Sequence, residues 1–268
     1  FQSNDAWTYD WSGFCAIEGY TFVPDDNFEQ ALIDLGYDDV LDNYALTENI
    51  SGVTELYVSE KEISDLTGIE DFSGLTYLNC ADNQLTELDV SANTSLTHLY
   101  CTYNQLTSLN VSNNTTLTSI ICFYNELTSL DVSTNTGLDT LTVFGNQLTS
   151  LDVSNNTNLR NLGIGDNDLT SLDVSNNTEL TLLHCSYNDL TSLDVSNNTA
   201  LTYLNCANNQ LTELDVSANT SLTWLYSPYN QFTSLDVSNN TALTGLSCDS
   251  NQLTELDVSN NTSLNRLY

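Results

Sequence analysis

Six cysteines of this chain stand at multiples of 21 residues from one another, which is a first sign of a repeated structural unit. They are Cys80, Cys101, Cys122, Cys185, Cys206 and Cys248. Zinc sites use close pairs such as CxxC with nearby histidine, and no such pair occurs here. In-register stacking also does not aim neighbouring sulfur atoms into disulfide geometry. We expect these thiols to be reduced and buried as small apolar side chains, and we expect Cys15, outside the series, to react first.

The other groups with catalytic potential are two histidines and many carboxylates. His98 and His184 are about four repeats apart, roughly 19 Å at the spacing of stacked strands. Neither has a serine or cysteine nucleophile motif beside it. Carboxylate pairs can cleave glycosides, but a chain with 36 Asp and Glu residues contains such pairs by chance. The sequence therefore predicts no catalytic residues and a chain that is not an enzyme.

An acidic residue recurs with the same 21-residue spacing. This acidic column contains Asp89, Asp131, Asp152, Asp173, Asp194, Asp215, Asp236 and Asp257, with Asn110 once in its place. Stacked carboxylates repel unless they are solvated, hydrogen-bonded or bridged by cations. We favour carboxylates that accept hydrogen bonds from nearby hydroxyl and backbone N–H groups. Calcium, which prefers oxygen ligands, is the alternative; no other cofactor and no metal-binding residues are predicted.

All of these spacings belong to one 21-residue phrase that repeats from Leu75 to the C-terminus. A fixed period near 20 residues is typical of a solenoid, a stack of similar coils. Positions one, four and six of the phrase have the spacing of an inward-facing strand, and positions eleven, fourteen and sixteen repeat that spacing. Asparagine occupies positions nine and nineteen of every complete repeat. Because an amide both donates and accepts hydrogen bonds, stacked asparagines are predicted to bridge successive coils.

The charge of the chain excludes several kinds of partner. Acidic residues number 36 against three basic residues, Lys61, Arg160 and Arg266, so the net charge is -33. Nucleic acids and anionic lipids need Lys and Arg to neutralise phosphate. No apolar run is long enough to cross a bilayer. We therefore predict neither nucleic-acid binding nor membrane insertion of this region.

The phrase LxxLxCxxNxLTxLDVSxNT resembles the repeats of bacterial surface proteins of the internalin type. Residues 53–74 resemble the 22-residue coil of these proteins, and residues 22–36 resemble their helical N-terminal cap. The resemblance implies a leucine-rich-repeat solenoid of the α/β class that is mostly β, a curved, right-handed stack of coils. It also implies a non-catalytic recognition or adhesion module, located outside the cell or on the surface of a bacterium.

Four segments follow from these observations. Residues 1–4 are interpreted as an expression-tag remnant, and residues 5–52 as an N-terminal extension with the helical cap. Residues 53–74 form the 22-residue repeat, and residues 75–268 form the 21-residue repeats, which stop within the tenth. Since no C-terminal cap follows, and solenoids need caps, we expect a piece of a longer protein.

One half of each repeat varies, at positions three, five, seven and eight, which are predicted to face outward. A constant core with one variable face is typical of a recognition surface. Glycines 145, 163 and 165 and Arg160 lie between two predicted aromatic ridges. The first ridge is His98, Tyr100, Tyr103, Ile121, Phe123, Tyr124 and Phe144, and the second is His184, Tyr187, Tyr203, Trp224, Tyr226 and Tyr229. Arg160 and all ridge residues except Ile121 are the predicted ligand-binding residues.

Tyrosine and tryptophan offer an apolar face with a polar group, which suits a stacked sugar ring and equally a protein hot spot. Because the acidic background repels polyanionic sugars, we favour a neutral glycan or a glycoprotein, with a protein ligand as the other candidate. Three alternatives stay open. In the first, the chain is a structural spacer that displays other domains. In the second, the threonines at positions twelve and twenty form an ice-binding array. In the third, the aromatic rings only pack on each other along the sheet.

Overall fold

The computed structural model describes the backbone of residues 8–9 and 15–268, and the side chains from residue 17 onward. The segment interpreted as a tag remnant, residues 1–4, therefore lies outside the described residues. So does the side chain of Cys15, for which early reaction is predicted.

The N-terminal part contains the two α-helices and two small antiparallel sheets, and a short 3-10 helix (Ile69–Asp71) follows in the first coil. The elements of the N-terminal part are β1 (Thr8–Tyr9), β2 (Cys15–Ala16), β3 (Tyr20–Phe22), α1 (Asp26–Asp34), β4 (Tyr44–Leu46) and α2 (Thr47–Ile50). Strand β1 pairs with β2, and β3 pairs with β4. Among the described residues, no helix combines the length and the apolar character that a membrane span requires.

Helix α1 is joined to the first coil through its capping residue. One carboxylate oxygen of Asp25 accepts the N–H groups of Asn27 and Phe28 at 3.0 and 2.9 Å, which satisfies free donors of the first turn. Its other oxygen accepts the N–H and hydroxyl of Ser64 at 2.8 and 2.7 Å. The ring of Phe28 stacks on Phe72 with 6.3 Å between centroids. The helix is therefore tied to the solenoid by hydrogen bonds and by packing.

The rest of the chain forms one eleven-stranded parallel sheet whose strands follow each other in chain order. Successive strands of the 21-residue repeats are in register, so that Leu162 pairs with Leu183. This confirms the predicted leucine-rich-repeat solenoid, mostly β. The strands are β5 (Glu55–Tyr57), β6 (Tyr77–Asn79), β7 (His98–Tyr100), β8 (Ser119–Ile121), β9 (Thr140–Thr142), β10 (Asn161–Gly163), β11 (Leu182–His184), β12 (Tyr203–Asn205), β13 (Trp224–Tyr226), β14 (Gly245–Ser247) and β15 (Arg266–Leu267).

The core is built from the same positions in every coil. In the first 21-residue coil, Leu75, Leu78, Cys80, Leu85 and Val90 are completely buried. The second half of the coil contributes its side chains to the core without forming a strand. A buried leucine contributes about 1.5–3 kcal/mol, and each coil buries its apolar side chains only against its neighbours. Stacking is therefore what stabilises the unit.

The asparagines at position nine bridge successive coils as predicted. The amide nitrogen of Asn104 donates to the carbonyls of Cys80 and Cys101 at 3.0 and 3.2 Å. Its oxygen accepts the N–H of Leu85 at 3.0 Å. The same pattern recurs along the stack, so each of these side chains satisfies backbone groups of two coils.

Candidate functional site

The variable residues form what we call the aromatic face, made by positions three and five of each strand and positions seven and eight after it. Side chains at position seven depart from the predicted outward orientation. Thr102, Ser186 and Ala207 are buried there, while Phe123 and Phe144 are half-buried. Thr102, Ser186 and Ala207 therefore belong to the wall of the coil, while the rings of Phe123 and Phe144 and, near the C-terminal end, Asp249 reach the surface.

The first ridge begins earlier than predicted. The ring of Tyr77 lies 5.0 Å from that of Tyr57, 5.7 Å from that of His98 and 5.1 Å from that of Tyr100, centroid to centroid. Sequence reasoning missed Tyr57 and Tyr77, although Tyr77 occupies position three, as His98 does. Mutual packing accounts for much of this group, because the rings cover one another across adjacent strands.

The centre of the face is a second group of touching rings. Phe123 and Phe144 stack almost parallel with centroids 4.5 Å apart, and Tyr103 and Tyr124 stack at 4.9 Å. The imidazole of His184, from the second ridge, lies 6.3 Å from the ring of Phe144. The structure thus joins the two ridges here, whereas the sequence predicted a bare floor of glycines between them.

The remaining residues of the second ridge are held in different ways. The Trp224 ring covers Gly245, where an added Cβ would lie 2.4 Å from the ring, and the Arg266 guanidinium carbon lies 5.3 Å from the ring centroid. Tyr203 on β12 is half-buried. Tyr226 and Tyr229 are 40% and 57% exposed. Trp224 is therefore partly a packing residue, and the exposed tyrosines are the freer members of this ridge.

Position eight places its residue in left-handed backbone in every complete 21-residue coil. The angle φ is 52° at Tyr103 and Tyr124, 53° at Tyr187 and 54° at Tyr229, and Asp166, Asn208 and Ser250 have the same conformation elsewhere. Bulky residues rarely adopt it, because the left-handed region costs an L-residue roughly 1–2 kcal/mol. Tyr187 is nonetheless 60% exposed. Ring stacking accounts for part of the preference at Tyr103 and Tyr124, but fold stability does not explain Tyr187 and Tyr229.

A cleft of about 250 Å³ opens where the two ridges meet. It is lined by Tyr124, Phe144, Gly165, Asp166, His184, Ser186 and Tyr187. Gly165 leaves the recess open, because an added Cβ would lie 2.9 Å from the Ser186 carbonyl and 3.3 Å from His184 Nε2. Gly145 makes room for the Tyr124 ring in the same way, because an added Cβ would lie 2.5 Å from that ring. Sequence reasoning missed Asp166 and Ser186, since it selected rings and glycines and passed over small polar residues.

The polar groups of the cleft are ordered. Nε2 of His184 lies 2.7 Å from the Ser186 hydroxyl oxygen, within one hydrogen bond. Burial lowers the pKa of His184 below its usual 6.5, so the imidazole is neutral at pH 7. The carboxylate of Asp166 stands at the exposed edge. The site therefore combines three aromatic rings, a neutral imidazole and a negative charge.

Arg160 and the acidic column lie outside the cleft. Arg160 is exposed, and its Nη1 pairs with Asp139 at 3.2 Å.

In the acidic column each carboxylate accepts the N–H of the serine two residues later, at 2.8–2.9 Å. Hydrogen bonds from the side chain and backbone of Ser133 lower the pKa of Asp131 in this way. Asn110 makes the same bond to Ser112 at 3.1 Å, so the bond does not require charge. The hydrogen-bonded interpretation of the column is confirmed.

Comparisons with known proteins agree with this architecture. The family model for the LVIVD repeat matches residues 162–189, parts of two consecutive coils. Internalin J of Listeria monocytogenes is 43% identical over 76 residues, which are 27% of this chain and 8% of that protein. The chain therefore spans a small part of the curated relative that it matches.

Two solved structures match far more of the chain. The functional domain of InlJ from Listeria monocytogenes, which includes a cysteine ladder, is 37% identical with a TM-score of 0.77. The match covers 92% of this chain and 61% of that domain. A leucine-rich-repeat protein of Leptospira interrogans is 26% identical, also with a TM-score of 0.77, over 82% of this chain and 61% of that one. With its in-register sheet and its own ladder of buried cysteines, this chain is an internalin-type leucine-rich-repeat protein.

Proposed function

We propose that this chain is a non-catalytic recognition or adhesion module that binds its ligand through the aromatic face. Internalin-type folds indicate a module for protein binding or adhesion, and their bacterial members point to a location on the cell surface or outside the cell. The observation that carries the proposal is the set of tyrosines at position eight. They are exposed and occupy a backbone conformation that asparagine, aspartate or glycine adopts at lower cost.

A purely structural spacer does not account for these residues. Ring packing explains Tyr77, His98 and Tyr100, which contact one another. It does not explain Tyr187 and Tyr229, which are 60% and 57% exposed. Exposed aromatic patches mark interaction sites more often than they mark stability. We therefore place the binding surface between the central cleft and Tyr229.

The ligand that we propose is a protein or glycoprotein. Rigid aromatic side chains around a cleft are typical of protein hot spots, which bury one or a few anchor side chains of the partner. A neutral glycan is the second candidate. Tyr187, Tyr226 and Tyr229 are exposed, and a tyrosine offers both an apolar ring and a hydroxyl to a stacked sugar ring.

The test is a binding screen of the chain against glycoprotein and glycan arrays, with and without calcium, followed by the variant Tyr187→Asn/Tyr229→Asn. Asparagine already occupies this position at Asn208 with φ 52°, so the variant keeps the fold and gains about 1 kcal/mol of stability per site. We expect each ligand found in the screen to bind the variant at least about tenfold more weakly, as loss of hot-spot residues does. The control is Tyr20→Asn, an exposed tyrosine outside the aromatic face. Unchanged affinity in the double variant would refute the proposed surface.

A further inference from the structure

Building on the proposed function, we propose that the central cleft receives a cationic side chain, lysine or arginine, from a protein partner. The lining of the cleft includes the rings of Tyr124, Phe144 and Tyr187 together with Gly165. Aromatic rings attract ammonium and guanidinium groups through the negative potential of their faces. These three rings therefore supply the walls of the proposed cation site.

The size of the cleft favours a single side chain. Its volume of about 250 Å³ is below the range of about 300–1,000 Å³ that is typical of pockets for whole small molecules. The recess depends on two glycines, because a Cβ at Gly165 or Gly145 would collide with Ser186 or Tyr124. An extended side chain can enter such a slot while the backbone of its protein remains on the surface.

The polar groups of the cleft select for positive charge. His184 and Ser186 are hydrogen-bonded to each other at 2.7 Å, which leaves the carboxylate of Asp166 as the charged group of the lining. A carboxylate beside aromatic rings complements a cation. The imidazole does not oppose a cation at pH 7, since burial keeps it neutral.

The basic residues of the chain are engaged elsewhere. Lys61 pairs with Asp34 at 3.4 Å and Arg160 with Asp139 at 3.2 Å. Arg266 lies over Trp224, which shows that the aromatic face already holds a guanidinium group against a ring. With a net charge of -33, the long-range field also draws cationic partners toward the molecule.

The experiment uses the full chain and capped tripeptides Gly-Lys-Gly and Gly-Arg-Gly, with Gly-norleucine-Gly and Gly-acetyllysine-Gly as neutral probes. Binding is followed by NMR titration of the His184 ring protons at pH 7 and low salt. The variant is Asp166→Asn, and the matched control is Asp82→Asn. Both aspartates occupy position eight with φ 54°, so the two substitutions remove the same charge from the same backbone conformation four coils apart.

We expect the lysine and arginine peptides to bind at least about fivefold more tightly than the neutral probes, in line with cation–π and charge contributions. Asp166→Asn should abolish most of this preference, while Asp82→Asn should change it less than twofold. Equal binding of the norleucine peptide, equal effects of the two substitutions, or no binding of the cationic peptides would each overturn the inference.

The outcome is separable from that of the proposed function. If screened ligands still lose affinity in Tyr187→Asn/Tyr229→Asn while Asp166→Asn binds them normally, the aromatic face is the recognition surface and the cation site is refuted. If the tyrosine variant binds normally, the proposed function itself fails. A ligand that is weakened by both variants, and that competes with the lysine peptide, supports both.

Discussion

Asparagine supports each coil at two positions, and the two positions use the amide differently. At position nine both ends of the amide are hydrogen-bonded, as at Asn104. At position nineteen the nitrogen of Asn114 donates to the carbonyls of Val90 and Asn93, both at 2.9 Å, while its buried oxygen has no partner among the described residues. Each of these carbonyls also accepts a backbone N–H at 3.0 Å, from Asn93 and Leu96, so position nineteen supplies the second donor to each carbonyl.

Replacing Asn114 by alanine should consequently destabilise the protein by about 1–3 kcal/mol, because two buried hydrogen bonds are lost and each contributes about 0.5–1.5 kcal/mol. The measurement is urea denaturation followed by circular dichroism. The control is Asn113→Ala, since the neighbouring side chain is exposed and donates to Ser91 at 3.3 Å. That variant should lose less than about 0.5 kcal/mol. Similar losses in the two variants would mean that the carbonyls are not the cause.

The candidate site shows what residue types alone reveal. The sequence predicts outward aromatic or imidazole side chains at four residues that line the cleft, namely Tyr124, Phe144, His184 and Tyr187. The sequence does not predict Asp166 and Ser186 as site residues, because small polar residues are common in variable loops and give no signal of their own. That they bind a ligand is still a proposal.

The cysteine ladder is the clearest feature at the scale of the element. Its six thiols are free and buried, and they share position six with Val143, Ile164 and Ser227, which are also buried. Burial disfavours the thiolate, and it raises the pKa of Cys206 to about 12. The slot thus takes small side chains, including a serine whose hydroxyl donates to the Ser247 carbonyl at 3.2 Å, and the predicted burial of the thiols is confirmed.

Alkaline pH should therefore destabilise the stack. A thiol whose pKa is higher in the folded than in the unfolded chain makes its full contribution to the free energy of unfolding at pH values below its unfolded pKa of about 9. That contribution declines as the pH rises toward the folded value, because the unfolded chain ionises first. In Cys185→Val/Cys206→Val the decline should be smaller than in the parent chain, with stability at pH 7 changed by less than about 1.5 kcal/mol per site. Urea midpoints at pH 7, 9 and 10.5 provide the measurement.

Comparison of the double variant with the parent chain separates this effect from tyrosine ionisation, which both proteins share. The single variant Cys185→Val should fall between them. Parallel loss of stability in all three proteins above pH 9 would show that the ladder thiols do not titrate on unfolding.

The charge acts on the molecule as a whole. Net charge of -33 opposes the compact state through self-repulsion, and salt screens repulsion between exposed carboxylates. Raising NaCl from 10 to 300 mM should increase the melting temperature by at least about 2–4 °C, equivalent to about 1 kcal/mol in a chain of this size. Scanning calorimetry at pH 7 tests this.

The same calorimetry experiment distinguishes specific calcium binding from general screening of the charges by salt. CaCl2 and MgCl2 at equal ionic strength should give melting temperatures within about 2 °C, roughly 1 kcal/mol, because the acidic column is hydrogen-bonded to serine and Asn110 replaces one carboxylate. A larger increase with calcium alone would show a specific site.

The solenoid was predictable because each coil contacts only its neighbours. The 21-residue period, the buried leucines and cysteines and the asparagine bridges therefore appear in the sequence as fixed spacings, which the structure reproduces. The cleft depends on contacts that no period encodes. His184 reaches Phe144 across two coils, Gly165 leaves a recess that any side chain would close, and Arg266 covers Trp224. Side-chain volume and direction between coils decide these features, so only the tertiary structure shows them.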